Sequence, residues 1–336
     1  MSDPLRIVLI GAGGFNRHNH APTMQLLAQG PEPELRLEAV CDLDEGRARA
    51  FCDDFGFRRA YTDLDRMIDE VEPEAIYSLV QPGATAEVVA RVIPRGLPVF
   101  TEKPPGVSIA QARRLAKLAQ EHGIISYVAF NRRRAPGLER LKGWCLQNAP
   151  VRHIAAQMLR NRRRETEFGI GTAIHPLDCL RFLGGEVDGV ETLAVPYPEP
   201  PARDFLVRLH FCSGTIADLA VLVDCGLLRE HYLATAECAA MEATLGAGYS
   251  SDFVSPRETA YADNAVASDT PAEEDRLLAG GFLGEHRAFI AAVRSGQMPD
   301  CCLQDAQHSL ELAVAVFEGY SGALVDFCPS AACPYA

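Results

Sequence analysis

A glycine-rich turn between a buried strand and a helix constrains the fold of this chain more than any other segment. Residues 6–10 (RIVLI) form a short apolar run typical of a buried strand, and residues 11–14 (GAGG) lead from it into a helical pattern. A nucleotide phosphate binds where backbone N–H groups face outward at a helix N-terminus and no side chain is in the way. Gly11 would form the tight turn, and Gly13 would let the backbone approach the phosphates. The segment therefore predicts a dinucleotide-binding unit; the alternative is a tight turn without a ligand.

The glycine pattern departs from G-x-G-x-x-G at its third position. Asn16 stands where the third glycine is expected, and Gly14 adds a further small residue. The replacement loosens the close helix–strand packing that a third glycine provides. We assign Gly11, Gly13, Gly14, Phe15 and Asn16 to the cofactor site.

Strand and helix patterns alternate regularly through the first third of the chain. Strands are predicted at 35–41, 75–80, 97–100 and 124–130, with helices at 44–55, 85–95 and 108–122. Such alternation predicts βαβ units and a parallel sheet. Beyond residue 150, strand patterns follow one another without intervening helices, which predicts an antiparallel or mixed sheet. The polar, turn-rich residues 250–275 are predicted to form a surface loop.

The charge balance and the cysteine pattern exclude several classes of protein. The chain has 336 residues, enough for two domains, and its 32 basic and 45 acidic side chains give a net charge of −13, which disfavours nucleic-acid binding. No apolar run approaches the roughly 20 residues of a membrane span, and the N-terminus lacks a secretory signal pattern, so we expect a cytoplasmic protein that binds no membrane. The 11 cysteines are scattered without C-x-x-C spacing, which predicts reduced thiols and no metal site.

An acidic residue follows the second predicted strand. Asp42 comes directly after the run LEAVC, where a carboxylate can accept hydrogen bonds from the ribose hydroxyls of a dinucleotide. Asp44 and Glu45 add negative charge, and together these groups would repel the 2′-phosphate of NADP. The predicted cofactor is therefore NAD rather than NADP. Asp42 is also placed to cap the next helix, and that alternative is compatible with ribose binding.

A second functional motif, Glu102-Lys103-Pro104, follows the predicted strand at 97–100. Ligands of open α/β sheets bind outside the carboxyl ends of the strands. Glu102 and Lys103 are therefore assigned to the cofactor site, with Pro82 after the preceding strand. A lysine beside a carboxylate and a cofactor can donate a proton to a reacting oxygen or accept one from it. A surface lysine ahead of two prolines is the structural alternative.

The motifs described above are followed along the chain by residues 130–133 (FNRR), Pro136 and residues 175–178 (HPLD). This order of motifs is that of a known protein family. The chain resembles the glucose-fructose oxidoreductase/inositol dehydrogenase/rhizopine-catabolism (Gfo/Idh/MocA) family over essentially its whole length. The resemblance implies an α/β protein with an N-terminal Rossmann domain (1–125) on a doubly wound parallel sheet. It also implies a C-terminal α/β domain (126–336) with an open, mostly antiparallel sheet that binds substrate and commonly forms the oligomer, here a homodimer or homotetramer. The implied activity is NAD(P)-linked oxidation or reduction of a sugar, polyol or related carbonyl compound.

The resemblance also implies roles for single residues. Lys103 would be the catalytic or substrate-orienting lysine, His175 its acid/base partner and Arg133 an arginine near the active cleft. Asp178, assigned to the substrate site, would pack or orient beside His175. Gly171 departs from the family, because many members carry an aspartate four residues before the histidine. A buried helical histidine that only packs is the alternative for His175.

Seven arginines lie in two clusters, residues 132–134 and 160–164. Guanidinium groups bind carboxylate or phosphate through two parallel hydrogen bonds. The clusters therefore suggest an anionic substrate, such as a sugar acid or a sugar bearing a phosphate or nucleotide, and Arg133 and Arg162 are assigned to its binding. The alternatives are a solvated face, or ion pairs with the glutamates that follow the second cluster or with a neighbouring subunit.

Together these features predict a cytoplasmic NAD-dependent oxidoreductase that transfers hydride between nicotinamide and a hydroxyl or carbonyl group of a sugar-like molecule. Lys103 or His175 would move the hydroxyl proton. Two other activities are compatible with the sequence. One is a non-catalytic regulator that senses the nucleotide, which Gly171 favours. The other is an NAD-dependent enzyme that cleaves glycosides through transient oxidation.

Overall fold

The computed structural model describes residues 3–198, 202–226, 228–245, 257–262, 265–269 and 276–330, together with Cys333 and Tyr335. The chain divides into two compact units. One comprises Met1–Phe130 and Phe282–Gln307, and the other comprises Asn131–Gly281 and His308–Ala336. The sequence predicts a division at residue 125 and a continuous second domain, whereas in the structure residues 282–307 return to the first unit.

Strands and helices alternate through residues 5–128 of the first unit. The strands are β1 (Leu5–Ile10), β2 (Leu35–Cys41), β3 (Arg59–Tyr61), β4 (Ala75–Ser78), β5 (Val99–Thr101) and β6 (Ser126–Val128). The helices are α1 (Gly14–His18), α2 (His20–Gln29), α3 (Glu45–Phe55), α4 (Leu64–Val71), α5 (Pro82–Val92) and α6 (Ile109–His122), with a 3₁₀ turn at Ile93–Arg95. The strand order is β3-β2-β1-β4-β5-β6, and all pairs are parallel. This doubly wound order confirms the predicted Rossmann fold.

The strand order reverses where β1 lies beside β4. In such a sheet the crevice outside the carboxyl ends of the strands at this point receives the ligand. Ile7, Val8 and Leu9 of β1 are fully buried, as expected for a parallel strand with helices on both faces. The fold therefore predicts a ligand site among the residues that follow β1, β4 and β5.

Local signals in the sequence set the helix boundaries of this unit. Asp44, Asp63 and Ser108 cap α3, α4 and α6, and each side chain accepts the backbone N–H of the residue three positions later. Gly56 and Gly123 end α3 and α6 with φ values of 84° and 61°, a left-handed conformation that favours glycine. These short-range signals explain why the alternation could be predicted from the sequence.

The chain after residue 130 changes from alternating elements to consecutive strands. The helices are α7 (Pro136–Gln147), α8 (Ile174–Gly184), α9 (Arg276–Ala279), α10 (Phe282–Ser295) and α11 (Leu303–Phe317), with 3₁₀ segments at Asn131–Arg134 and Leu324–Asp326 and a π-helical turn at Gly169–Ala173. The strands are β7 (His153–Leu159), β8 (Val187–Pro196), β9 (Arg203–Phe211), β10 (Ile216–Leu222), β11 (Arg229–Ala236), β12 (Ala239–Leu245), β13 (Arg257–Ala262), β14 (Ala265–Asp269) and β15 (Gly322–Ala323).

The second unit is built on a nine-stranded sheet in the order β14-β13-β12-β11-β7-β10-β9-β8-β15. β7 and β10 are parallel, and the other described pairs are antiparallel. The predicted open, mostly antiparallel sheet is thus confirmed. The surface loop predicted for 250–275 was wrong at 257–262 and 265–269. Main-chain pairing of β13 with β12 and of β14 with β13, rather than an apolar pattern, defines these two strands. The rest of that segment lies outside the described residues.

One face of this sheet is covered by helices and the other carries exposed apolar side chains. α8 packs on β7, and α7 packs on β12. Along β9, buried Phe205 and Val207 flank Leu206, which points to the opposite face and is 44% exposed. Leu193, which pairs with Leu206, is 59% exposed. A contiguous exposed apolar patch of this kind is characteristic of a surface that binds another molecule.

The helix α10 completes the aromatic core of the first unit. The Phe289 ring lies 5.3 Å from that of Tyr77 and 5.6 Å from that of Phe100, between ring centroids. His286 stacks on Tyr77 with centroids 5.2 Å apart. These contacts explain why the segment after residue 281 belongs to the first unit.

Among the residues that the structure describes, none of the helices has the length and the apolar character needed to cross a membrane.

Candidate functional site

The glycine turn after β1 has a geometry that only glycine can adopt at its first position. Gly11 has a φ of 98°, and a Cβ atom there would lie 2.5 Å from the carbonyl oxygen of Leu79. A Cβ atom at Gly13 or Gly14 would have no atom within 4 Å, so the space in front of the α1 N-terminus is open. A helix N-terminus with open space in front of its N–H groups fits a pyrophosphate.

Asn16 has a specific task at the position of the missing third glycine. Its side chain is buried, and its Nδ2 donates hydrogen bonds to the carbonyl oxygens of Gly11 and Leu79 at 2.7 and 2.8 Å. The carboxamide therefore fastens the glycine turn to the end of β4. The sequence predicts a cofactor contact for Asn16 but gives no sign of this supporting role, since Leu79 is distant in the chain.

Asp42 is held by three groups at the end of β2. Its Oδ2 accepts the Ala12 N–H at 2.8 Å, and its Oδ1 accepts the Asp44 N–H at 2.9 Å and Arg47 Nη2 at 2.8 Å. Burial opposes ionisation, but the two N–H donors and Arg47 outweigh it and lower the pKa of Asp42 below its ordinary value. The carboxylate is therefore ionised and fixed in direction beside the glycine turn.

Arg47 is a member of this site that the sequence analysis did not single out. It lies one turn into α3, is exposed, and forms the ion pair with Asp42. Its spacing of three residues from the helix cap Asp44 is the signal that could have revealed it. An arginine near the ribose is the feature that accommodates a 2′-phosphate in NADP-binding enzymes. The acidic character predicted from Asp42, Asp44 and Glu45 is thus partly neutralised.

Two neighbouring cavities at the carboxyl edge of the parallel sheet collect the predicted cofactor residues. One has a volume of about 440 Å³, and Gly11, Gly13 and Asp42 are among its lining residues. The other, of about 360 Å³, shares Gly13 and the segment 79–81 with the first. Its lining also includes the other predicted cofactor residues, Gly14, Phe15, Asn16, Pro82, Glu102 and Lys103. All residues assigned to the cofactor from the sequence therefore line one of these two spaces.

Glu102 and Lys103 follow β5 at the smaller cavity. Glu102 is buried, and its Oε2 accepts the backbone N–H of Lys103 at 3.0 Å. Its Oε1 lies 2.6 Å from Nε2 of His20, a residue the sequence analysis did not assign to the site. Lys103 is half-buried and lines the cavity. A carboxylate that is fixed on both oxygens thus stands directly beside the lysine.

The predicted substrate residues lie in the second unit, where His175 is in the first turn of α8. His175 is only 4% exposed. Asp178, one turn later, accepts Arg133 Nη2 at 2.6 Å and Nε at 2.8 Å, and it accepts the Ser309 hydroxyl at 2.7 Å. These bonds use both carboxylate oxygens of Asp178 inside the unit. Arg133 and Asp178 therefore form a framework pair in this structure.

Gly171 lies in the π-helical turn that leads into α8. A Cβ atom added there would have no atom within 4 Å, so an aspartate would fit at this position. The glycine that this chain has at position 171 carries no carboxylate that could support His175. The structure thus has space for an aspartate at position 171, although the sequence has glycine there.

The arginine clusters are mostly engaged in ion pairs within the second unit. Arg132 lies 2.8 Å from the buried carboxylate of Glu230, which Arg160 also contacts. Burial would raise the pKa of Glu230, but the two guanidinium groups lower it to about 2. The remaining pairs are Arg133 with Asp178, Arg134 with Glu139, Arg163 with Glu165 and Arg164 with Asp224.

Arg162 differs from the other six arginines. Its backbone has a φ of 55°, and its N–H donates to Asp224 Oδ1 at 3.0 Å. Its guanidinium group is exposed and forms no ion pair with any residue that the structure describes. The ion-pair alternative therefore accounts for six of the seven arginines, and Arg162 is left as the candidate for an anionic ligand.

Comparison with known proteins finds similarity across the chain. Residues 5–130 match the profile of the Gfo/Idh/MocA oxidoreductase family, described as an NAD-binding Rossmann fold. An inositol 2-dehydrogenase of Paracoccus denitrificans is 29% identical over 248 residues, 70% of each chain. Another, from Pseudomonas fluorescens, is 26% identical over 339 residues, 96% of each chain. The crystal structure of an oxidoreductase from Agrobacterium radiobacter with NAD+, L-tartaric acid and magnesium has a TM-score of 0.77 at 17% identity, covering 94% of this chain and 96% of that chain.

Proposed function

We propose a reaction for this chain from one premise, that it belongs to the Gfo/Idh/MocA family of NAD-binding oxidoreductases. It is an NAD(P)-dependent dehydrogenase with a small-molecule substrate. The proposed reaction is reversible hydride transfer at a secondary hydroxyl group of a cyclic polyol or sugar derivative. The inositol 2-dehydrogenases that resemble the chain support this class of substrate.

The residues around the two cavities suit the binding of a dinucleotide. The open N-terminus of α1, with Gly13 and Gly14, would hold the pyrophosphate, and Asp42 would accept hydrogen bonds from ribose hydroxyls. The bound nicotinamide supplies the hydride acceptor. We propose NAD as the cofactor because the ionised Asp42, fixed beside the glycine turn, would repel the 2′-phosphate of NADP, although Arg47 weakens that repulsion.

Lys103 is proposed to move the hydroxyl proton. The chain contains three lysines, at positions 103, 117 and 142, so nearly all of its 32 cationic side chains are arginines. Arginine keeps its proton at all working pH values, whereas a lysine amine can release one and take it back. A lysine placed at the cavity beside Glu102 therefore serves as an acid/base where the chain elsewhere prefers arginine.

His175 is proposed as the second proton-transfer group, on the strength of its place in the family order of motifs. Asp178 binds Arg133 and Ser309, and these bonds stabilise the framework of the second unit. With glycine at position 171, the carboxylate that supports the histidine in many relatives is missing. We therefore expect Lys103 to contribute more to the proton transfer than His175.

One observation carries this proposal: Lys103, the glycine turn and Asp42 all line the same pair of adjoining cavities. The test measures NADH formation from NAD with myo-inositol, other cyclic polyols and aldoses. Lys103→Met should lower kcat at least ~100-fold while the Kd for NAD stays nearly unchanged. Lys103→Arg, the matched control, keeps the charge but cannot release a proton and should be equally impaired. Tight NAD binding without turnover on any of these compounds would instead favour the nucleotide-sensing regulator.

The open face of the second sheet is proposed to join subunits of a homodimer or homotetramer. Leu193 and Leu206 expose apolar surface there, beside Arg208 and Asp218, which pair at 2.8 Å. Such a patch is costly to leave in water and is suited to a self-complementary contact. Leu206→Arg should produce smaller particles in sedimentation experiments, and an unchanged sedimentation coefficient would place the contact elsewhere.

A further inference from the structure

A buried cluster of ionisable side chains lies behind the smaller cofactor cavity. His20 begins α2, Glu102 follows β5, and Glu285 and His286 lie in the first turns of α10. His20, Glu285 and His286 have no solvent exposure, and Glu102 has 8%. Burial of so many ionisable groups is unfavourable unless they bind one another, and such clusters often occur at functional sites.

His20 connects this cluster to the active lysine. Its Nε2 lies 2.6 Å from Glu102 Oε1, and its Nδ1 lies 2.9 Å from Nε2 of His286. An ionised carboxylate only accepts hydrogen bonds, so Nε2 of His20 carries the hydrogen and donates it. The other oxygen of Glu102 accepts the backbone N–H of Lys103 at 3.0 Å. Glu102 is therefore held between His20 and Lys103.

The surroundings keep the His20 ring in one orientation. The rings of Phe15, Phe100 and Phe282 lie 5.7, 5.8 and 5.4 Å from it, between centroids. Burial, together with the nearby His20, lowers the pKa of His286 well below its ordinary value, so His286 is neutral. A neutral His286 and a fixed aromatic cage leave His20 with a defined direction toward Glu102.

The same side chains are close enough together to raise the question of a metal ion. His20, Glu285 and His286 offer ligand atoms that all lie within 4.8 Å of one another. Two nitrogens bound to a tetrahedral zinc at about 2.0–2.1 Å would be about 3.4 Å apart. The observed separation of 2.9 Å is that of a hydrogen bond, and the second nitrogen of His20 is engaged by Glu102. The geometry favours a hydrogen-bonded network.

We propose that His20 is a positioning residue that sets the reactivity of the Lys103 amine through Glu102. The bond from His20 holds the carboxylate and offsets part of its negative charge. Without that bond the carboxylate of Glu102 would be free to turn toward the ammonium group of Lys103 and stabilise its charged form. The unprotonated amine, which accepts the proton, would then be scarcer at a given pH. This inference rests on the proposed role of Lys103.

The small number of lysines allows a direct test without a substrate. The full-length protein is acetylated briefly with acetic anhydride over a range of pH, and the labelling of each lysine is measured by mass spectrometry. Lys117, whose side chain is 76% exposed, serves as the internal reference. In His20→Phe, which keeps an aromatic ring but loses both hydrogen bonds, we expect the Lys103/Lys117 labelling ratio at neutral pH to fall at least about threefold. The pH midpoint of Lys103 labelling should move upward.

Three further variants separate positioning from simple loss of stability. His20→Gln retains an N–H donor toward Glu102 and should restore most of the labelling ratio. Glu102→Gln removes the negative charge and should move the midpoint downward, opposite to His20→Phe, so the inference is testable even if His20→Phe does not fold. Thr23→Val, a buried change one turn after His20 that removes the hydroxyl bond to the Asn19 carbonyl oxygen, should alter the melting temperature but not the ratio.

Each outcome bears on the inference. An unchanged ratio in folded His20→Phe, or the same shift in Thr23→Val, would overturn it. A stoichiometric divalent metal in the purified protein, with labelling that responds to a chelator, would replace it with a metal site. Where wild type oxidises a polyol, His20→Phe should lower kcat while leaving the Kd for NAD within about twofold. If no polyol is oxidised, the proposed function fails, but the labelling still decides the role of His20.

Discussion

Arg133 and Asp178 form a two-pronged ion pair inside the second unit. The guanidinium Nε and Nη2 lie 2.8 and 2.6 Å from the two carboxylate oxygens, and the side chains are 3% and 1% exposed. The pair joins the 3₁₀ segment Asn131–Arg134 to α8, and the hydroxyl of Ser309 links it to α11. Both residues were assigned to substrate binding from the sequence, whereas their contacts here support the framework around His175.

The first prediction concerns the stability that this pair provides. Asp178→Ala leaves the buried guanidinium of Arg133 without its carboxylate and should lower the free energy of unfolding by about 3–5 kcal/mol. Chemical denaturation measures the change. Asp188→Ala, which changes an exposed aspartate in β8 of the same unit, is the control and should change it by less than about 0.5 kcal/mol. A large rise in KM with unchanged stability would instead restore the substrate-binding role.

The second prediction concerns cofactor choice. NAD should bind more tightly than NADP, because the ionised Asp42 opposes a 2′-phosphate. Asp42→Ala should weaken NAD binding about tenfold and narrow the difference, since a charge-assisted hydrogen bond contributes about 1.5–3 kcal/mol. Arg47→Ala should widen the difference by removing the cation that could meet the phosphate. Calorimetric titration with both cofactors checks these values, and tighter binding of NADP to the wild type would refute the role given to Asp42.

The third prediction restores the missing acid in front of His175. Gly171→Asp has room for its side chain and places a carboxylate one turn before the histidine. The new charge stabilises the imidazolium form, so the acidic limb of the kcat/KM profile should move to higher pH. Gly171→Asn, which has nearly the same size without the charge, should leave the limb in place. Identical profiles for both variants would show that His175 does not take part in the reaction.

The fourth prediction concerns acid stability and the buried Glu230. Its pKa in the folded protein, about 2, is below the ordinary value of 4.5, so its stabilising contribution is complete above about pH 4.5 and is lost as the pH falls toward 2. Glu230→Gln should therefore lower the free energy of unfolding at neutral pH by about 3 kcal/mol. The difference from wild type should shrink below pH 4.5. Urea unfolding at several pH values measures it, and a constant difference would contradict the assigned ionisation.

The fifth prediction tests whether the substrate is anionic. Arg162→Ala should raise KM for a sugar acid or sugar phosphate about tenfold, and it should leave KM for a neutral polyol unchanged. Arg164→Ala is the matched control, because Arg164 already binds Asp224 at 2.8 Å. Equal KM values for wild type and Arg162→Ala with every compound would favour neutral polyols.

The fold was predictable from the sequence where local signals determine structure. The apolar strand of residues 6–10, the cap at Ser108 and the glycine turn can each be recognised within a few residues, and together they specify the parallel sheet. The return of residues 282–307 to the first unit depends on contacts such as that of Phe289 with Tyr77. No short window of sequence contains both partners of such a contact.

For the candidate site, the sequence indicates which residues lie near one another better than it indicates the contacts of each side chain. Motif spacing singled out Asp42 and Lys103, and each of them lines one of the two cavities. Arg47, which pairs with Asp42, and His20, which contacts Glu102 beside Lys103, do not stand out as motifs. In the same way, the pairing of Arg160 with Glu230 joins residues 70 positions apart and is invisible in the arginine-rich run itself.

The return of α10 to the first unit has a consequence for biosynthesis. Translation proceeds from the N-terminus, so the parallel sheet leaves the ribosome long before Phe289 is made. Tyr77 and Phe100, which are fully buried in the finished protein, lack their contacts with Phe289 on the nascent chain until then. The half of the molecule that is translated first is thus among the last to be completed. A chain that stalls before residue 282 would present an uncovered aromatic surface to chaperones and proteases.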